Sequence, residues 1–309
     1  MRSNIEGLTT EGVNESTRNI DTLDSLEIIA LINEEDKKIA DAVEMVLPQI
    51  AEAVDAVAER FERGGRIIYC GAGSSGRMGT LDAVELTPTY SVSQERAFGL
   101  LAGGEQAMYT AVEGAEDSEE LAVEDLKRVM LKLEDCVIGI AASGSTPYTT
   151  AALKYGKETG ALTISVTCNQ AGAMTELADI SIAPVVGAEV INGSTRMKAG
   201  TAQKMVVNML STAVMVRLGK VYQNYMVHMQ PTNEKLIMRA AHMIEEITGA
   251  DKDRAFKTLQ EADRNVAEAI VMIECGCERA LAEEALLKSG GRVRAAIDAA
   301  KKGIYADRT

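Results

Sequence analysis

Two glycine- and serine-rich turns, each directly after a run of apolar residues and each opening a helical pattern, constrain this chain more than any other feature. The first is Gly71-Ala72-Gly73-Ser74-Ser75-Gly76-Arg77, after Arg66-Ile67-Ile68-Tyr69-Cys70. The second is Ser143-Gly144-Ser145-Thr146, after Val137-Ile138-Gly139-Ile140-Ala141, with Pro147 where a first-turn proline begins a helix. Glycine lets backbone N–H groups close around an anion, serine adds hydroxyl donors, and a helix start turns its positive dipole end toward the charge. Two such turns on one sheet predict a phosphorylated small molecule as ligand. Ser74, Ser75, Ser143, Ser145 and Thr146 are the expected phosphate contacts, and Gly73, Gly76 and Gly144 give close backbone access. Neither turn fits a stricter nucleotide fingerprint, because no acidic residue ends a plausible second strand and no Gly-Lys-Ser/Thr occurs. Taken alone, a strand followed by a Gly/Ser turn is also an ordinary tight βα connection.

The turns sit in an α/β alternation. Strand-like runs near 66–70, 97–101, 137–141, 162–167 and 180–183 alternate with helical patterns, which predicts a doubly wound parallel sheet flanked by helices, with its ligand crevice at the strand carboxyl ends. Before it, a polar arm from Thr9 to Asp21 lacks periodicity, and Ser25 to about Phe61 reads as helix with a break or restart at Pro48. A long helix from about Met197 to Arg217 closes the α/β region. Beyond Pro231-Thr232-Asn233 everything reads as short helices separated at Thr248–Asp251, Cys275–Cys277 and Ser289–Gly291, a small C-terminal helical bundle. The chain of 309 residues thus divides into an arm and helix at 1–50, a phosphate-binding α/β domain at 51–225 and the bundle at 230–309.

A formal net charge of −14 argues against nucleic acid or an anionic membrane surface as partner, so an anionic ligand must be held locally. No apolar stretch approaches a membrane span, and Met1-Arg2-Ser3-Asn4-Ile5-Glu6 lacks the apolar core of a leader, so the expected location is cytoplasmic. Cys70, Cys136, Cys168, Cys275 and Cys277 read as buried free thiols without zinc-type spacing, and His228 and His242 read as helix or linker residues, so no metal is expected.

The chain resembles the N-acetylmuramic acid 6-phosphate etherases of the sugar isomerase (SIS) fold over nearly its whole length. The resemblance rests on Thr10-Glu11 with Asn19-Ile20-Asp21, the turn from Tyr69 to Arg77, Leu81-Asp82-Ala83-Val84-Glu85, Ala111 to Asp117, and above all Gly193-Ser194-Thr195-Arg196-Met197-Lys198-Ala199-Gly200-Thr201-Ala202-Gln203-Lys204. It implies cleavage of a lactyl ether without metal or organic cofactor, a homodimer whose subunits complete each other's sites, and a C-terminal bundle of the ubiquitin-associated type. It further implies Glu85 as proton donor, Glu116 as the second catalytic carboxylate, and Glu189, Ser194 and Lys198 among the substrate-binding residues. Ser145 stands where members usually carry arginine, a departure that bears on how the substrate's charges are met.

The residues can be weighed against that chemistry, which needs one acid and one base. Glu85 lies about two and a half turns into the helix after the first turn, with Thr87-Pro88 expected to end that helix; burial near the negative dipole end would raise its pKa, as a general acid needs. By spacing alone, Asp82 and Glu85 read instead as a solvated helix face. Glu116 follows Gly114 in an expected loop before a helix start at Ser118, where a side chain can face a cleft, although the acidic run Glu113 to Glu120 is by itself only surface. Basic residues in the first turn from Ser194 to Lys198 oppose the dipole, so an anion or a carboxylate is expected nearby. Two rival readings share the architecture: a non-catalytic sugar-phosphate sensor like the glucokinase regulatory protein, and an aldose–ketose isomerase.

Overall fold

The computed structural model describes residues 9–306; the opening segment from Met1 to Glu6, read above for a leader, lies outside them. Five short runs rich in Val, Ile and Leu form one parallel sheet: β1 (Ile67–Gly71), β2 (Ala97–Leu101), β3 (Cys136–Ile140), β4 (Leu162–Val166) and β5 (Ile180–Ile182). Every residue of β1, β3 and β4 is buried, because helices cover both faces, and this is why the runs are continuous rather than alternating. The order is β2-β1-β3-β4-β5, so the connections leave in opposite directions from β1 and β3. A crevice opens at that switch point, and the two Gly/Ser turns follow these two strands.

The helices before the sheet are α1 (Ser25–Asp36), α2 (Lys38–Glu44) and α3 (Leu47–Glu62). Pro48 stands in the first turn of α3 as a restart, and a further interruption falls at Lys37, where no proline or glycine announced it. Between strands come α4 (Gly73–Tyr90), α5 (Glu119–Arg128), α6 (Pro147–Thr159) and α7 (Ala173–Leu177), and α8 (Lys198–Arg217) follows the sheet. The arm is tied down rather than loose: Thr9 N–H and its hydroxyl both donate to Asn169 Oδ1 (2.8 Å each), and Thr17 Oγ1 donates to the Val190 carbonyl (2.8 Å).

Helix α4 corrects one expectation. It runs through Pro88 to Tyr90 instead of ending at Thr87-Pro88; the proline removes one donor, but Ser91 N–H still reaches the Thr87 carbonyl (3.0 Å) and holds the last turn. Asp82 is a second correction. It is buried at 8% exposure, not solvated, with Tyr69 hydroxyl donating to Oδ2 (2.7 Å) and Ser211 hydroxyl to Oδ1 (3.0 Å).

The chain sorts into two units: residues up to Val84 with Gln94–Val214, and Glu85–Ser93 with the chain from Met215 on. The second unit holds α9 (Glu234–Thr248), α10 (Lys252–Glu261), α11 (Val266–Cys275), α12 (Arg279–Lys288) and α13 (Val293–Ala306) around a core that includes Ile244, Leu259, Ile270 and Val271. Asn233, Asp251 and Asn265 each cap a helix by accepting from its third N–H, the local reason these helices begin where they do. All five cysteines are free; Cys70, Cys136 and Cys168 are buried, whereas Cys275 and Cys277 are only partly so. Among the described residues no helix is long and apolar enough to cross a membrane.

Candidate active site

The first turn is shaped by a close approach. A Cβ on Gly76 would collide with Leu101 Cδ1 and lie 2.5 Å from the Gly71 carbonyl oxygen, so only glycine lets α4 start against the end of β1. In the second turn Gly144 takes φ +75° and donates to the Ala141 carbonyl (3.1 Å), while Ser145 N–H donates to Ser143 Oγ (3.2 Å). Pro147 opens α6 and Thr146, its cap, makes no side-chain hydrogen bond to the helix. Two helix N-termini of 18 and 13 residues therefore begin at these turns.

Between the turns lies a cleft of about 540 Å³ within the first unit. Gly73, Ser74, Ser75, Ser143, Ser145 and Thr146 line it, as expected, and so does Glu116. Glu116 is exposed in the loop before α5, whose cap Ser118 accepts from Leu121 N–H (3.2 Å). The loop is pinned across the cleft, since Tyr148 N–H of α6 donates to the Glu116 carbonyl (3.0 Å). Ser75 hydroxyl donates to Gln203 Oε1 (2.8 Å) on α8.

Gly76 and Gly144 shape the turns but are buried behind the lining. Glu189 is buried and spent on structure: its carboxylate accepts from the N–H groups of Lys198 and Ala199 (2.9 Å each), capping α8. Lys198, 2% exposed, donates to Glu35 Oε2 of α1 (2.7 Å). These two carboxylates answer the basic turn before α8, and neither Glu189 nor Lys198 lines the cleft; Thr195 does, one residue beyond the expected Ser194. Burial pushes the Glu35 carboxyl up, yet the hydrogen-bonded ammonium groups of Lys198 and Lys38 outweigh it and hold it at about 2.

Glu85 stands apart. It is exposed, contrary to the expected burial, and belongs to the second unit. Along α4 it lies about twelve residues past Gly73, about 18 Å of helix at about 1.5 Å per residue.

Glu11 and Asp117 also line the cleft and were not singled out as site residues. Asn169 brings the arm there: its Nδ2 donates to the Ala142 carbonyl (3.0 Å) of the second turn and to Thr10 Oγ1 (3.1 Å). The Thr10-Glu11 pair in an otherwise aperiodic arm was the one available signal.

The profile of the glucokinase regulatory protein N-terminal SIS domain matches residues 49–157 and that of the SIS domain residues 113–213. The chain is 60% identical to N-acetylmuramic acid 6-phosphate etherase 1 of Enterococcus faecalis, over 94% of this chain and 97% of that one. It is 55% identical to the N-acetylmuramic acid 6-phosphate etherase of Clostridium beijerinckii (87% and 89%) and 52% identical to that of Lactobacillus johnsonii (96% and 99%).

Proposed function

Because the chain belongs to the N-acetylmuramic acid 6-phosphate etherase family, we propose that it cleaves the D-lactyl ether of N-acetylmuramic acid 6-phosphate, giving N-acetylglucosamine 6-phosphate and D-lactate. The phosphate binds among the Gly/Ser turns. Glu116 takes the proton from C2, made acidic by the neighbouring aldehyde of the open-chain sugar, and the C3–O bond breaks. Glu85 protonates the departing lactate oxygen. Water then adds across the C2–C3 double bond: Glu85, now a carboxylate, takes its proton as oxygen joins C3, and Glu116 returns a proton to C2. Elimination followed by hydration is redox-neutral and its proton transfers are assigned to the two glutamates, so no metal or organic cofactor is invoked.

The observation that carries this reading is that Glu116 shares one cleft with both Gly/Ser turns in a chain so similar to named etherases. The exposure of Glu85 and its distance along α4 from Gly73 support a homodimer in which a second copy completes the site. The same reading has the protein act in the cytoplasm, in peptidoglycan recycling. The test is D-lactate release from N-acetylmuramic acid 6-phosphate by the parent, Glu85→Gln and Glu116→Gln. Release by the parent and a loss of at least about a hundredfold in each variant is expected; a parent that binds the sugar phosphate without releasing lactate would be a sensor instead.

A further inference from the structure

N-acetylmuramic acid 6-phosphate carries two anions, the phosphate and the lactyl carboxylate, and the cleft between the turns suits only the first. Among the described residues its lining includes three carboxylates, Glu11, Glu116 and Asp117, and no lysine or arginine. A second pocket of about 330 Å³ adjoins it, sharing Ala72, Gly73 and Glu116. Ala102, Ala107, Ala111, Val112 and Ala115 give it an apolar wall, Thr110 and Glu113 line it as well, and its one cation among the described residues is Arg77 of α4.

Arg77 is fixed and has charge to spare. Nε and Nη2 donate to the Ala107 carbonyl (3.0 and 2.7 Å), Nε also reaches the Met108 carbonyl (3.2 Å), and among the described residues Nη1 makes no hydrogen bond and the guanidinium has no carboxylate partner. A half-buried guanidinium held by neutral carbonyls is a ready partner for a carboxylate.

Resting on the etherase reading, we propose that this pocket is the lactyl subsite: the lactyl methyl lies against the alanine and valine wall and its carboxylate meets Arg77. Glu116, which lines both pockets, then stands where C2 and C3 join the phosphate-bearing part of the sugar to the departing lactyl group. The subsite discriminates the substrate from the sugar product, since N-acetylglucosamine 6-phosphate lacks the carboxylate, which leaves with D-lactate.

The experiment compares KM for lactate release with the Kd of N-acetylglucosamine 6-phosphate in the parent, Arg77→Gln and Ala111→Asp. Ala111→Asp keeps the Arg77 side chain and puts a carboxylate on the pocket wall, which repels the lactyl carboxylate and can take its place on Arg77. Both variants are expected to raise KM at least about thirtyfold, the loss typical of one partner removed from a desolvated charge pair, with the Kd of the product changed by less than about twofold. Parallel loss of both affinities in Arg77→Gln, with no KM effect in Ala111→Asp, would make Arg77 a mere brace for the loop and overturn the assignment. An active parent with unchanged KM in both variants refutes the subsite alone, whereas a parent that releases no lactate refutes the etherase reading beneath it.

Discussion

Replacing Asp82 by Asn should make the stability of the first unit respond differently to pH, by an amount the structure sets. Burial raises the Asp82 carboxyl, and hydrogen bonds from Tyr69 and Ser211 with the charge of Lys204 pull it back only as far as about 6, against an ordinary value of 3.8. An acid whose pKa is raised on folding contributes stability that is fully present below the unfolded value, about 3.8, and lost as pH rises through about 6. At 1.36 kcal/mol per pH unit the gap amounts to about 3 kcal/mol. Asparagine keeps the shape, can accept from Tyr69 hydroxyl and donate to Ser211 Oγ, and does not titrate. The unfolding free energy of the parent minus that of Asp82→Asn is therefore expected to fall by about 3 kcal/mol between about pH 3.5 and about pH 7. Urea unfolding read by far-UV circular dichroism suits a chain without tryptophan. Parallel pH curves for the two proteins would refute the reasoning, and a rising difference would reverse its sign.

Gly76→Ala forces a Cβ to within 2.5 Å of the Gly71 carbonyl oxygen and is expected to cost about 3 kcal/mol or to prevent folding. Gly200→Ala, whose Cβ would meet Thr195 O at an ordinary 3.5 Å in α8, should instead stabilise by up to about 1 kcal/mol in the same unfolding assay. Lys198→Met leaves exposed Lys38 as the one cation on the buried Glu35 carboxylate, beside the Ser16 hydroxyl, and should cost about 3 kcal/mol, while adding Glu35→Gln restores most of it; no recovery in the double variant would contradict the ion-pair account. Because Glu35 is held at about 2, its contribution is present above pH 4.5 and fades as pH falls toward 2.

What the sequence made legible was what local composition decides. Parallel strands buried on both faces read as apolar runs, so all five were found to within about a residue, and the glycines of both turns announced strand-to-helix joints. What escaped depends on partners distant in the chain. Helical spacing put Asp82 on a polar face, but Tyr69 and Ser211 supply the donors that let it be buried. The partners of Glu189 and Lys198 were likewise hidden: Glu189 caps α8, and Glu35, 163 residues away in sequence, supplies the countercharge to Lys198. Glu11 entered the cleft because one buried amide, Asn169, ties the arm to the second turn.

The cleft proposed for the phosphate holds no lysine or arginine among the described residues. Glu116 makes no ion pair among the described residues. The phosphate can instead be met by hydroxyls, backbone N–H groups and two helix N-termini, which attract an anion without placing a full charge beside Glu116. The guanidinium of Arg77 stands in the adjoining pocket, braced on carbonyls, where it would meet the lactyl carboxylate. A net charge of −14 slows the approach of an anionic substrate, so the local donors of the two turns must hold it.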